Sequence, residues 1–204
     1  MTKLQRSLRA SRPFALTVVA FAALCGCASK PDEPPGASAL PADPHVAPLK
    51  YTAPSTWQKT EESDEHERRA GYAVPKVGDD KEDGEALVLF FGTGSPGDRD
   101  KQWDPWFKQF DGDAKTAATR TTIVGAHGIA VDVFEVAGNY KLNIGPHRPG
   151  QVRSPVQMVK NSYRMLGAVA HTKDRGNWFF RLVGPDATVT AAKPDFMAML
   201  QSVE

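Results

Sequence analysis

From Trp57 onward, apolar and polar positions follow two different periods, and the switches between them predict the elements. Strand-like stretches lie at Trp57–Thr60, Arg69–Val74 and Ala86–Phe91. The last is a continuous apolar run (Ala-Leu-Val-Leu-Phe-Phe), the pattern of a central strand. Residues 78–84, Gly-Asp-Asp-Lys-Glu-Asp-Gly, form a charged turn before it. Trp103, Trp106, Phe107 and Phe110 then fall at i, i+3, i+4 and i+7, one face of a helix that Asp98 or Asp100 can cap. Pro105 fits that helix if it begins near Asp104, because a proline in the first turn forfeits no bond. The aromatic stripe reads as packing against a sheet.

Period-2 alternation returns at Thr119–Val124 and Gly128–Tyr140, a hairpin about Gly125-Ala126-His127 in which Ile129, Val131 and Val133 alternate with Ala130, Asp132 and Phe134. Residues 143–157 are a Pro- and Gly-rich loop, of a length that is usually functional or mobile. A second hairpin, Tyr163–Thr172 with Asn177–Gly184, turns on Lys173-Asp174-Arg175-Gly176. Asp186–Val203 closes as a helix capped by Asp186 or Thr188, which Pro194 breaks or bends. The order β-β-β-α-β-β-β-β-α predicts an α+β fold, a central antiparallel sheet flanked by helices, over 51–204.

The first 50 residues have no such pattern. Residues 1–26 carry Lys3, Arg6, Arg9 and Arg12 ahead of the apolar stretch Phe14–Leu24, which is a secretory signal and is too short for a membrane span of about 20 residues. Residues 27–50 interleave Pro31, Pro34, Pro35, Pro41, Pro44 and Pro48 with Ala, Ser and Asp, a disordered, semi-extended tether that cannot bury a core.

Charge and cysteine content change meaning once that signal is set aside. The chain of 204 residues is formally +1, but losing the four signal cations leaves 21 basic against 24 acidic residues, or −3. Nothing in that balance points to a nucleic-acid partner. The two cysteines cannot build a disulfide framework or a four-thiolate metal site.

Candidate chemistry is sparse. Gly92-Thr-Gly-Ser-Pro-Gly97 matches G-x-G-x-x-G between a strand and a helix, but its strand is not first in a βαβ series, and Asp98 and Asp100 sit where pyrophosphate would arrive. It reads as a tight strand-to-helix turn. The five histidines show no metal spacing, and the mixed-charge run Glu61–Arg69 lacks the ligand alternation of a calcium loop. No catalytic motif, cofactor site or metal site emerges. Two function classes follow. One is a non-enzymatic binding module using the 143–157 loop, where His147, Arg148 and Arg153, near Lys141 and Lys160, gather positive charge suited to an envelope protein or an anionic glycan or lipid. The alternative is an envelope hydrolase or glycan-binding protein whose site assembles from dispersed carboxylates such as Asp132 and Glu135.

Leu24-Cys25-Gly26-Cys27 resembles the bacterial lipobox. That resemblance implies lipidation of Cys27 by diacylglycerol, cleavage before it and palmitate-like acylation of the new amine. Cys25 is the weaker acceptor, and if Cys27 is used it departs with the signal. Ala28 after the acceptor implies the outer membrane, facing the periplasm, in a two-membrane cell. Further on, Tyr51-Thr-Ala-Pro-x-x-Trp57, Leu87-Val-Leu-Phe-Phe-Gly92, Trp106-x-x-Gln-Phe110, Tyr163-Arg-Met-Leu166 and Phe179-Phe-Arg-Leu-x-Gly-Pro185 look like a group of uncharacterised bacterial proteins, many of them lipoproteins. Their order of elements is similar to the PsbP-like fold, an α/β/α sandwich found in a photosystem extrinsic subunit and a Ran-binding import factor. That likeness implies a binding or assembly role and transfers no functional residues.

Overall fold

A computed structural model describes residues 48–60, 67–93, 97–144 and 156–204. Its centre is one seven-stranded sheet in the order β1-β2-β3-β7-β6-β5-β4, antiparallel at every pairing. The strands are β1 (Gln58–Lys59), β2 (Arg68–Val74), β3 (Gly84–Phe90), β4 (Thr119–Val124), β5 (Ala130–Ile144), β6 (Val156–His171) and β7 (Asn177–Pro185). All seven expected strands are present, and the expected α+β class with a central antiparallel sheet is what forms. The run at β3 is central as its continuous apolar pattern requires, lying between β2 and β7.

Helices cover both faces. Against one lies α3 (Asp186–Gln201), whose Val189, Ala192, Phe196, Met199 and Leu200 pack with Val88, Val131, Val133, Leu166, Phe180 and Leu182. Leu49 and Trp57 complete that side, so the folded body takes in Leu49 and Lys50 just before Tyr51. Against the other face lies α1 (Arg99–Phe107) with the single turn α2 (Ala114–Ala117). Trp103, Trp106, Phe107 and Phe110 meet Phe134, Met165, Val169 and Phe179 there, so the aromatic stripe is core.

The faces are fixed by strand period. Along β5, Val131 and Val133 point toward α3, and Phe134 and Val136 toward α1. Phe134 lies opposite Gly167 in the β5–β6 register. A Cβ at Gly167 would sit 2.2 Å from the Phe134 ring, so the absence of a side chain on β6 creates the seat for that ring. Trp103 at 4.9 Å and Phe107 at 4.5 Å close over it.

Two helix expectations are corrected. Helix α1 starts at Arg99, not near Asp104, with the Asp98 carboxylate accepting from the Lys101 amide at 3.0 Å, and Pro105 lies inside it. The backbone bond lost at Pro105 is outweighed by burial of the three rings that flank it. Helix α3 runs unbroken through Pro194. Its cap is neither Asp186 nor Thr188: Asp80, from the charged turn before β3, accepts from the Thr188 amide (2.9 Å) and hydroxyl (2.5 Å).

Candidate functional site

The two ends of the sheet differ in ways that bear on function. At one end β5 and β6 outrun their neighbours. The β4–β5 pairing stops at Thr119 opposite Glu135, and the β6–β7 pairing stops at Tyr163 opposite Pro185. The β5–β6 ladder continues to Ile144 opposite Val156. The result is a two-stranded arm, longer than the strand ends expected at Tyr140 and Tyr163. Its base is marked by a register shift between Gly138 and Tyr140 and by Ser162 at φ 56°. It is braced where Lys141 donates to the Gln109 carbonyl at 2.6 Å and Phe110 bridges Tyr140. Met158 and Val159 are 42% and 50% exposed on it.

His147, Arg148 and Arg153 lie outside the described residues, as does Cys27. Of the cations expected to join them, Lys141 Nζ is paired with Asp111 (2.7 Å) and Lys160 Nζ with Glu82 (2.7 Å). Hydrogen bonding to Lys160 and to Tyr163 lowers the Glu82 carboxyl below its ordinary range. The flanking lysines therefore fix the base of the arm instead of adding free positive charge to it, which corrects the expected clustering.

Asp132 and Glu135, the carboxylates considered for hydrolysis, are three apart on one strand and so project from opposite faces of the sheet. Asp132 meets Arg99 Nη1 (3.0 Å), His171 Nε2 (3.0 Å) and the Thr122 hydroxyl (2.7 Å) on the α1 side. Glu135 meets Arg164 and Lys193 Nζ (2.6 Å) on the α3 side. Burial pushes both carboxyls up, but the hydrogen bonds outweigh it, and both end below their ordinary values. An acid/base pair needs two carboxylates facing one substrate, one of them raised. Asp132 and Glu135 meet neither condition.

The other end of the sheet holds a cavity of about 500 Å³. The turn after β4, the turn Thr172–Arg175 between β6 and β7, Lys50 and Glu204 form its wall. The turn after β4 is a 3-10 turn, Ala126–Gly128, in which His127 adopts φ 57°. The Thr172 hydroxyl donates to the Gly176 carbonyl (2.5 Å) and accepts from the Arg175 amide (3.2 Å), and Gly176 takes φ 73°. His171 is held on both sides, Nε2 by Asp132 and Nδ1 by Asn177 Oδ1 (3.1 Å). Asn177 in turn donates through Nδ2 to the Gly97 carbonyl (2.6 Å), anchoring the end of the glycine-rich turn. The expected site residues did not include this cavity. Its residues come from four distant points of the sequence, and the one local signal, the dense charge of Lys173-Asp174-Arg175, reads equally well as a solvated turn.

No group of three or more metal-ligating side chains occurs among the described residues, nor does any helix there long and apolar enough to cross a membrane. Neither the family models nor the curated proteins compared with the chain match it.

Proposed function

We propose that the protein is a lipid-anchored, non-enzymatic binding or accessory module of the bacterial cell envelope, which meets its partner through the β5–β6 arm. The observation that carries this reading is the arm itself. Strands of 15 and 16 residues continue past the hydrophobic core, and the arm displays Met158 and Val159 with no core to bury them. Long strand extensions unsupported by the core serve presentation better than stability. Arg148 and Arg153 are the recognition residues in this reading, Cys27 is the lipid acceptor, and residues 27–48 form a tether reaching roughly 70 Å if extended at about 3.1 Å per residue. Two or more acyl chains make such an anchor stable. The PsbP-like assignment belongs to the same reading and is supported by the antiparallel sheet with helices on both faces.

Two variants test it in intact bacteria. Cys27→Ser is expected to abolish labelling by a palmitate analogue and to leave an unprocessed precursor; persistent labelling moves the acceptor elsewhere. Arg148→Ala with Arg153→Ala is expected to reduce crosslinked partner recovery at least fivefold with an unchanged melting temperature. Undiminished recovery rejects the arm as the recognition element.

A further inference from the structure

We propose that the cavity at the opposite end of the sheet from the arm is a binding site for a small, soluble dianion, a phosphomonoester or a dicarboxylate. At about 500 Å³ its volume lies within the range of small-molecule sites, and it is a feature of the turns, independent of the arm.

The lining brings the basic side chains of Lys50, Lys173 and Arg175 together with the carboxylates of Asp174 and Glu204. Those two carboxylates do not saturate them. Glu204 Oε2 is engaged by His127 Nε2 at 3.0 Å. Asp174 is largely exposed and approaches Arg175 Nε only to 3.6 Å, beyond hydrogen-bond distance. Neither the Lys50 nor the Lys173 ammonium has an ion pair among the described residues.

Arg175 is the sharper indication. A guanidinium carries five donors in a fixed fork. Here Nη1 makes one long bond, 3.4 Å to the Glu204 carbonyl, and Nε is buried with no hydrogen-bond partner. The outer Nη1–Nη2 edge of a planar fork fits a carboxylate or phosphate with two parallel bonds. The Thr172 bonds to the Gly176 carbonyl and the Arg175 amide hold the turn that carries the fork in shape. His171 contributes no free nitrogen, since Asp132 and Asn177 occupy both. It sets the position of Thr172 and shapes the floor. The ligand is thus recognised by Arg175 bidentately and by the two lysines as point charges. That arrangement requires two negative charges on the ligand and a body small enough to enter between the turns.

Isothermal titration and amide chemical-shift mapping on the folded chain test the proposal, with glycerol phosphate and succinate as probes and glycerol and glucose as neutral controls. The expected result is saturable binding of at least one dianion with shifts centred on residues 172–176 and 127–129, weakened about tenfold by a rise from 50 to 300 mM salt, and none for the neutral compounds. Lys173→Gln and Arg175→Lys are each expected to weaken it at least fivefold, the second because it keeps the charge and removes the fork. Where Arg175→Lys perturbs folding, Lys50→Gln with Lys173→Gln, which removes two ammonium groups without an ion pair among the described residues, is expected to weaken binding at least tenfold. The proposal is overturned by no saturable dianion binding up to 10 mM, by equal binding of the neutral controls, or by binding unaffected in these variants. Sedimentation with phosphatidylglycerol vesicles that depends on Lys173, without binding of the soluble dianions, also overturns it, because the phosphate would then be a lipid headgroup.

Discussion

The two faces of the sheet are buried by different means. Toward α3 the contact is mainly aliphatic and long: sixteen residues of helix lie over valines, leucines and alanines, joined by Leu49, Trp57 and Tyr51 from the chain ahead of β1. Toward α1 a helix of nine residues suffices because its large rings converge on Phe134, at 4.5 to 6.3 Å between centroids. Each face also places one carboxylate beneath two basic side chains that hydrogen-bond to it, Asp132 under Arg99 and His171 and Glu135 under Arg164 and Lys193. A short helix can thus seal a sheet if each of its turns contributes a ring, but its stability then rests on a few side chains instead of a long seam.

That contrast is breakable. The largest effect is expected at its centre. Phe134→Ala should cost about 4–5 kcal/mol and exceed Phe196→Ala on the α3 face, because each aromatic pair adds about 0.5–1.5 kcal/mol beyond area. Urea denaturation checks this, and a costlier Phe196→Ala would show the aliphatic face to be the stronger. Next comes Gly167→Ala, expected to cost about 1–3 kcal/mol by driving the Phe134 ring from its seat. In a Phe134→Leu background that cost should fall by more than half, and an additive double mutant would separate the two positions.

Smaller still is the electrostatic pairing. Glu135→Gln should cost about 1–2 kcal/mol at pH 7, between the values for exposed and buried pairs. Because Glu135 and Asp132 both titrate below their ordinary values in the folded chain, their contribution is present above the unfolded carboxylate range and is lost as pH falls through the lowered folded values. Stability of Glu135→Gln should therefore fall less steeply between pH 5 and pH 3 than that of the parent. An equal slope would assign the acid sensitivity to other carboxylates. Least of all, Met158→Ser on the arm should move stability by under about 0.5 kcal/mol, since its side chain leans on neither face's core.

Sequence period was enough for the strands, their order along the chain and the helix faces that pack on them, because each strand spends one or both faces in apolar surroundings and the alternation records that. The same alternation separates Asp132 from Glu135, and grouping them as one site overlooked it. A start for α1 near Asp104 follows from giving Pro105 a first-turn position, whereas burial of Trp103, Trp106 and Phe107 carries the helix through the proline from Arg99. The arm went unseen because Lys141–Ile144 and Val156–Lys160 pair with each other away from the core, where alternation is weak. The cavity could not be read at all: Lys50, His127, Arg175 and Glu204 meet only through the sheet's register.

The Lys50 amide donates to the Glu204 carbonyl at 3.1 Å and the Glu204 amide to the Lys50 carbonyl at 2.9 Å, one residue beyond buried Leu49. Tension arriving along the preceding chain meets this two-bond latch before it reaches any strand. Because the latch joins Lys50 to the segment just after α3, a pull is shared with the longest helix and shielded from short, peripheral β1. Force extension of the chain from its first residues should therefore register a small early yield, the release of the latch, ahead of the main rupture of the sheet.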